Sequence, residues 1–180
     1  MNKIETTRIL KLVAGAYPKT FNIDDPDKLS IQMEIWSSCF ESETYMQVAQ
    51  ALKYHISTDT SGFPPVLGKL KEAIFKIGNP NVLSEAEAWA YVKVALKNSL
   101  YGSEEEFDKL PPIVQKVVGS GSMLRSWAMN DSDEINTVIA SNFQRSYRSI
   151  LQSHKENAML PDSVKKAIGL NNVDIKRIGD

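Results

Sequence analysis

The apolar residues of this 180-residue chain recur at helical spacing, and two double prolines cut that pattern. At Phe63-Pro64-Pro65 and again at Leu110-Pro111-Pro112, two consecutive residues lack a backbone donor and have a fixed φ. The residue before each proline is pushed to extended geometry, so no helix runs through. Pro65 can then open a new helix. Each site therefore predicts a stiff elbow between helices, with Phe63 as an apolar plug at the first. No segment alternates apolar and polar residues between turn signals as a half-buried strand requires. The chain is expected to be all-α: an N-terminal four-helix domain, then a second helical domain with one long helix.

The elements follow from period and caps. A first helix is expected from about Glu5 to Ala16, with Ile9, Leu12, Val13 and Ala16 on one face. Asp25 and Pro26 are an N-cap and a first helical residue, followed by Leu29, Met33, Trp36 and Phe40. A third helix is expected from Ser42 to about Ile56, with Tyr45, Val48, Leu52 and Ile56 inward. After the elbow, Val66, Leu70, Ile74 and Ile77 predict a fourth, closed by Gly78. Asn79-Pro80-Asn81 reads as a boundary. Beyond it, Ser84 to Glu87 is a capping box, and Trp89, Val92 and Leu96 continue that helix. Tyr101-Gly102 is read as a turn, followed by a second capping box at Ser103. The longest helix is expected from Ser132 or Asp133 to about His154. A short one should follow from Asp162 to Ile168, ending at Gly169. The expected domains are residues 1–78 and 82–157, with a short helix and tail over 158–180, the tail from Leu170 mobile.

Composition narrows the chemistry. Twenty-one basic residues against 22 acidic ones give no whole-chain field for nucleic acid. Cys39 is the only cysteine, which excludes an internal disulfide and fits a reducing cytosol. No apolar run approaches the roughly 20 residues that span a bilayer. The protein is expected in the cytoplasm, away from membranes.

No catalytic set emerges. Gly119-Ser120-Gly121-Ser122 lacks the lysine and the preceding strand of a phosphate loop and reads as a helix break. His55 and His154 are the only histidines, each read as a cation near a helix C-terminus. Metal sites need three or four suitable ligands, so neither is expected to hold one. Glu104-Glu105-Glu106 reads as a solvated helix start, and Trp36, Trp89 and Trp127 as core. Neither a cofactor nor a metal is expected, and the chain is not expected to be an enzyme.

Charge is uneven along the chain. Residues 79–134 carry five basic and nine acidic residues, a net of −4, whereas residues 135–180 carry seven and four, a net of +3. Arginine and tyrosine are favoured interface anchors. Arg145, Tyr147, Arg148 and His154 on the long helix are therefore candidate partner contacts, with Phe63 at the elbow as a second choice. An apolar stripe occupies most of that helix, so direct DNA binding is expected to be weak or absent.

The N-terminal pattern resembles the phage replicative-helicase loader/inhibitor family. The carrying residues are Glu5-Thr6-Thr7, Ala16-Tyr17-Pro18, Glu34-Ile35-Trp36, the run from Val48 to Ile56, and Phe63-Pro64-Pro65 entering a helix. Downstream, Ala88-Trp89, Tyr101-Gly102, Phe107 to Pro112, Leu124 to Ala128 and Phe143 to Tyr147 resemble phage replication proteins that carry such a domain. The resemblance implies an accessory protein of phage DNA replication. Such a protein binds a hexameric DnaB-type helicase, holds it inactive and helps load it through an origin-binding initiator protein. The implied alternative is an inhibitor of the host AAA+ helicase loader. A helical DNA-binding protein is the remaining alternative. In the family the C-terminal part makes the helicase contact and can be disordered until bound. This chain departs there, because its second half has the apolar periodicity of a folded domain.

Overall fold

A computed structural model of the chain describes residues 1–169; the tail expectation, from Leu170 onward, lies outside the described residues. The described residues are helical, with no strand among them. They divide into two compact units, one built on Met1–Pro80 with the segment from Asn157, the other on Asn81–Glu156.

The first unit contains α1 (Lys3–Ala16), α2 (Pro26–Cys39), α3 (Tyr45–Thr58) and α4 (Leu67–Gly78). Helix α1 starts two residues earlier than the apolar pattern indicates. Asn2 accepts from the Glu5 amide and the Glu5 carboxylate accepts from the Asn2 amide, so both open donors are satisfied. Asp25 caps α2 as expected, and a Thr44–Gln47 box caps α3.

The core of this unit is Ile9, Leu10, Val13, Trp36, Phe40, Val48, Leu52 and Leu70, all nearly inaccessible, with Ala51 and Ala73. The buried stripe of α1 runs through Thr6, Ile9, Leu10 and Val13, so Leu12 lies off it and is exposed. Thr6 is tolerated on an apolar face because its hydroxyl donates to the Asn2 carbonyl at 2.9 Å. Ile56, Val66 and Ile77, expected inward, are likewise exposed; His55 and Ala73 take the facing positions. Deep between the helices, Lys71 donates to Glu43 at 2.6 Å and sits over the Phe40 ring at 5.4 Å.

The elbow differs from its sequence reading. Helix α4 begins at Leu67 with Val66 as an uncapped N-cap (φ −70°, ψ 148°), so Pro65 precedes the helix rather than opening it. Pro65 is the buried residue there, and Phe63 is 63% exposed. The proline rings stiffen the join while the Phe63 side chain projects outward.

The second unit holds α5 (Glu85–Leu96), α6 (Ser99–Asp108), α7 (Pro112–Val118) and α8 (Gly121–Ala128). There follow α9 (Ser132–Glu134), a π-helical turn over Ile135–Ile139, and α10 (Ala140–Met159). The Ser84–Glu87 box caps α5, and Pro112 opens α7 after the second elbow. Tyr101-Gly102 is not a connecting turn: it lies inside α6 as a kink, with Gly102 at φ −118°, ψ 40°. Gly119 ends α7 at φ +90°, a conformation that favours glycine, and Ser120 caps α8 through the Met123 amide.

The run beginning at Ser132 is not a uniform helix. Asn136 donates to the Ser132 carbonyl at 2.7 Å and Thr137 to the Asp133 carbonyl at 2.6 Å. These side chains compete for the carbonyls that an α-helical ladder would use, and the ladder widens into the π turn. The core packs on Phe143, whose ring lies 5.3 Å from Trp89, 6.0 Å from Tyr147 and 6.4 Å from Trp127. Val92, Val114 and Leu124 complete it with no exposure.

After Pro161, α11 (Asp162–Ala167) packs in the first unit, and Gly169 follows at φ +75°.

Candidate functional site

Helix α10 carries four of the five candidate contact residues, and the structure gives them four different roles. Its apolar stripe, Ala140, Phe143 and Tyr147, faces the core of the second unit. Tyr147 falls on that stripe and is fully buried. Its hydroxyl donates to the Leu83 carbonyl at 2.9 Å, and burial pushes its pKa up, with Glu87 and Glu85 adding to the effect. A partner cannot touch this side chain in the folded unit, so Tyr147 is a core residue rather than a contact.

Arg148 lies one residue on and points outward. Its guanidinium holds Glu85 through two bonds of 2.6 Å, Nε to Oε1 and Nη2 to Oε2. The hydrogen bond from Arg148 keeps the Glu85 carboxyl below the ordinary range. Arg148 thus ties α10 to the first turn of α5. Its side chain is 71% exposed, so solvent screens the pair.

Arg145 is exposed and makes no ion pair among the described residues. From Ala140 to Lys155 the chain has no carboxylate, and the outward positions are Ser141, Asn142, Arg145, Ser146, Ser149, Gln152 and Ser153. This face presents hydrogen-bond donors and positive charge, the pattern that suits an acidic surface.

His154 does not stand at the helix end, because α10 continues to Met159. It is half-buried, and burial first, then Lys116, lowers its pKa. The expectation of a cation in the last turn is therefore corrected: the neutral form dominates at neutral pH. His55 does lie in the last turn of α3, buried beside Tyr17, with its Nε2 3.9 Å from Asp59 Oδ2. Hydrogen bonds from Ser61 hold the Asp59 carboxyl low. Phe63 stands in the first unit, exposed at the elbow.

The sequence reading missed one surface. Ala90, Tyr91, Val94 and Ala95 of α5, with Glu106, Lys109 and Leu110, line an open groove of about 400 Å³. Tyr91 and Val94 are 49% and 62% exposed. The signal was available in α5 itself, which has apolar residues on more than one face: Trp89 and Val92 inward, Tyr91 and Val94 outward. The groove can bury an apolar side chain, and its rim carries the Lys109–Glu106 pair at 2.7 Å.

Gly121 explains the glycine-serine segment. A Cβ there would lie 2.5 Å from the Glu104 carboxyl carbon, so Glu104 already occupies the space at the start of α8. Among the described residues no group of three or more His, Cys, Asp or Glu is placed to hold a metal ion, and no helix is long and apolar enough to cross a membrane.

No curated protein and no solved structure matches the chain. Residues 1–71, which contain Tyr17-Pro18, Trp36 and Phe63-Pro64-Pro65 and reach into α4, match the family model for the N-terminal domain of the phage gene-39 protein.

Proposed function

We propose that this protein is a phage DNA replication accessory factor. It binds a hexameric DnaB-type helicase, holds it inactive and helps load it at the origin. It acts by binding rather than by catalysis. The observation that carries this reading is the family match over residues 1–71, since the namesake of that family is a phage helicase-binding protein. The match falls within one compact helical unit with its own core, so the recognised region is a folding unit and not a scattered pattern.

The contact surface we assign lies on the second unit. Arg145 supplies charge on the carboxylate-free face of α10, and the α5 groove supplies apolar area. Aromatic and arginine anchors commonly dominate such interfaces. The mechanism is occlusion: a helical surface covers part of the helicase and blocks ATP turnover or DNA engagement.

Pull-down with a purified DnaB-type helicase, and separately with its AAA+ loader, tests the reading. The wild-type chain should retain the helicase and slow its ATPase. Arg145→Glu and Tyr91→Ser/Val94→Ser should each weaken retention while leaving the circular dichroism spectrum unchanged. Retention of the loader alone would move the role to loader inhibition. Retention of neither would overturn it. Arg148→Glu is a poor probe, because it sets a carboxylate against Glu85.

A further inference from the structure

The packing of α11 in the first unit is polar. Pro161 precedes it and offers no side-chain acceptor, so the open amide of the first turn needs one from elsewhere. Glu41, in the connection between α2 and α3, supplies it: its Oε1 accepts from the Ser163 amide. The same carboxylate accepts from the Ser163 hydroxyl, and Ser42 beside it hydrogen-bonds the Asp162 carboxylate. Both carboxyls are held below their ordinary range, Glu41 first by the Ser163 amide and Asp162 first by Ser42.

Apolar anchoring is missing. Val164 and Ile168, the large apolar residues of this segment, are 39% and 58% exposed and take no part in the core of the first unit. Lys165 is the one half-buried side chain of α11, and it turns back to Asp162 at 3.4 Å. A helix of six residues has little stability of its own and depends on what it packs against. Elements with few buried apolar contacts open at low free-energy cost, independently of the core.

We infer that α11 is a detachable strap, latched to the α2–α3 connection by Glu41 and Ser42, which opens while the core of the first unit stays folded. The latch is Glu41: it satisfies the amide that Pro161 leaves open, and neither Val164 nor Ile168 is buried deeply enough to replace it. On the strap, its charge faces Asp162 and Lys166, while Lys165 pairs with Asp162. This inference rests on contacts within one unit and stands or falls independently of the proposed partner.

Limited trypsin digestion of the full chain, read by intact mass, tests it at the Lys165 and Lys166 bonds. Glu41→Ala should speed cleavage there at least fivefold relative to wild type. The thermal midpoint and the cleavage rates at Lys53 and Lys69 should not change. Glu34→Ala, an exposed carboxylate on α2, should leave all rates at the wild-type value. Hydrogen exchange at the Ser163 amide gives a second reading and should accelerate in Glu41→Ala alone. Unchanged cleavage and exchange in Glu41→Ala would overturn the latch. Acceleration at Lys53 and Lys69 in step with Lys165 would also overturn it, because the opening would then be global.

Discussion

The Tyr147 hydroxyl donates a 2.9 Å hydrogen bond to the carbonyl of Leu83, 64 residues earlier in the chain. Leu83 immediately precedes the capping residue of α5, so the bond fixes the entry of α5 against the middle of α10. The ring itself stacks on Phe143. Tyr147→Phe removes the donor but keeps the ring. It should lower unfolding free energy by about 0.5–1.5 kcal/mol. Tyr147→Ala also leaves a cavity and should lose about 3–5 kcal/mol. Urea titration followed by tryptophan fluorescence measures both; equal losses would show that the ring contributes nothing.

Glu43 and Lys71 form an ion pair with side chains only 11% and 7% exposed, and Glu43 Oε2 has no hydrogen-bond partner among the described residues. Glu43→Ala leaves a buried ammonium without its carboxylate and should destabilise the protein by about 3–5 kcal/mol. The double change Glu43→Leu/Lys71→Met removes both charges together and should be much milder. Denaturant melts of the two variants check this, and a double variant as weak as the single one would refute it.

Gly119 sits at φ +90°, ψ −47°, between α7 and the Ser120 cap of α8. No neighbouring atom crowds a Cβ there, so the penalty of substitution is conformational. Gly119→Ala should cost about 1–3 kcal/mol. The thermal midpoint reads the loss, and Gly68→Ala, a helical position with open space and ordinary φ, should show none of it.

His154 yields a pH dependence with a definite sign. Its folded pKa is lowered by burial and then by Lys116. As pH falls through the ordinary histidine value of about 6.5, the unfolded chain takes up a proton that the folded chain does not. Stability should therefore fall across that range and level off below the folded pKa. His154→Gln should flatten this part of the curve. Lys116→Gln should move the His154 imidazole NMR titration upward, though not to the ordinary value, because burial is the larger cause.

Elements whose signals are local were legible in the sequence. The Asp25-Pro26 start of α2, the Ser84–Glu87 box, Pro112 at the head of α7 and the glycine at 119 each act within a few residues. Which face of a helix turns inward was less legible. Leu12, Ile56 and Ile77 fit an apolar period yet lie exposed, because the facing helices select Leu10, His55 and Ala73 instead. The candidate surface divided in the same way. Arg145 and Arg148 are outward, as a polar pair on an amphipathic helix should be, whereas Tyr147 belongs to the stripe between them.

The sequence by itself determined an all-α chain, its elbows and most of its helix starts, because proline, glycine and capping side chains act on their own neighbours. Its N-terminal residues also carried the resemblance that the match over residues 1–71 now supports. Tertiary structure alone decided the rest. It buried Tyr147, left Phe63 outside, placed Lys71 against Glu43 and supplied Glu41 to an amide 122 residues away. Those outcomes depend on which surfaces meet across long stretches of chain, and helical spacing does not encode that.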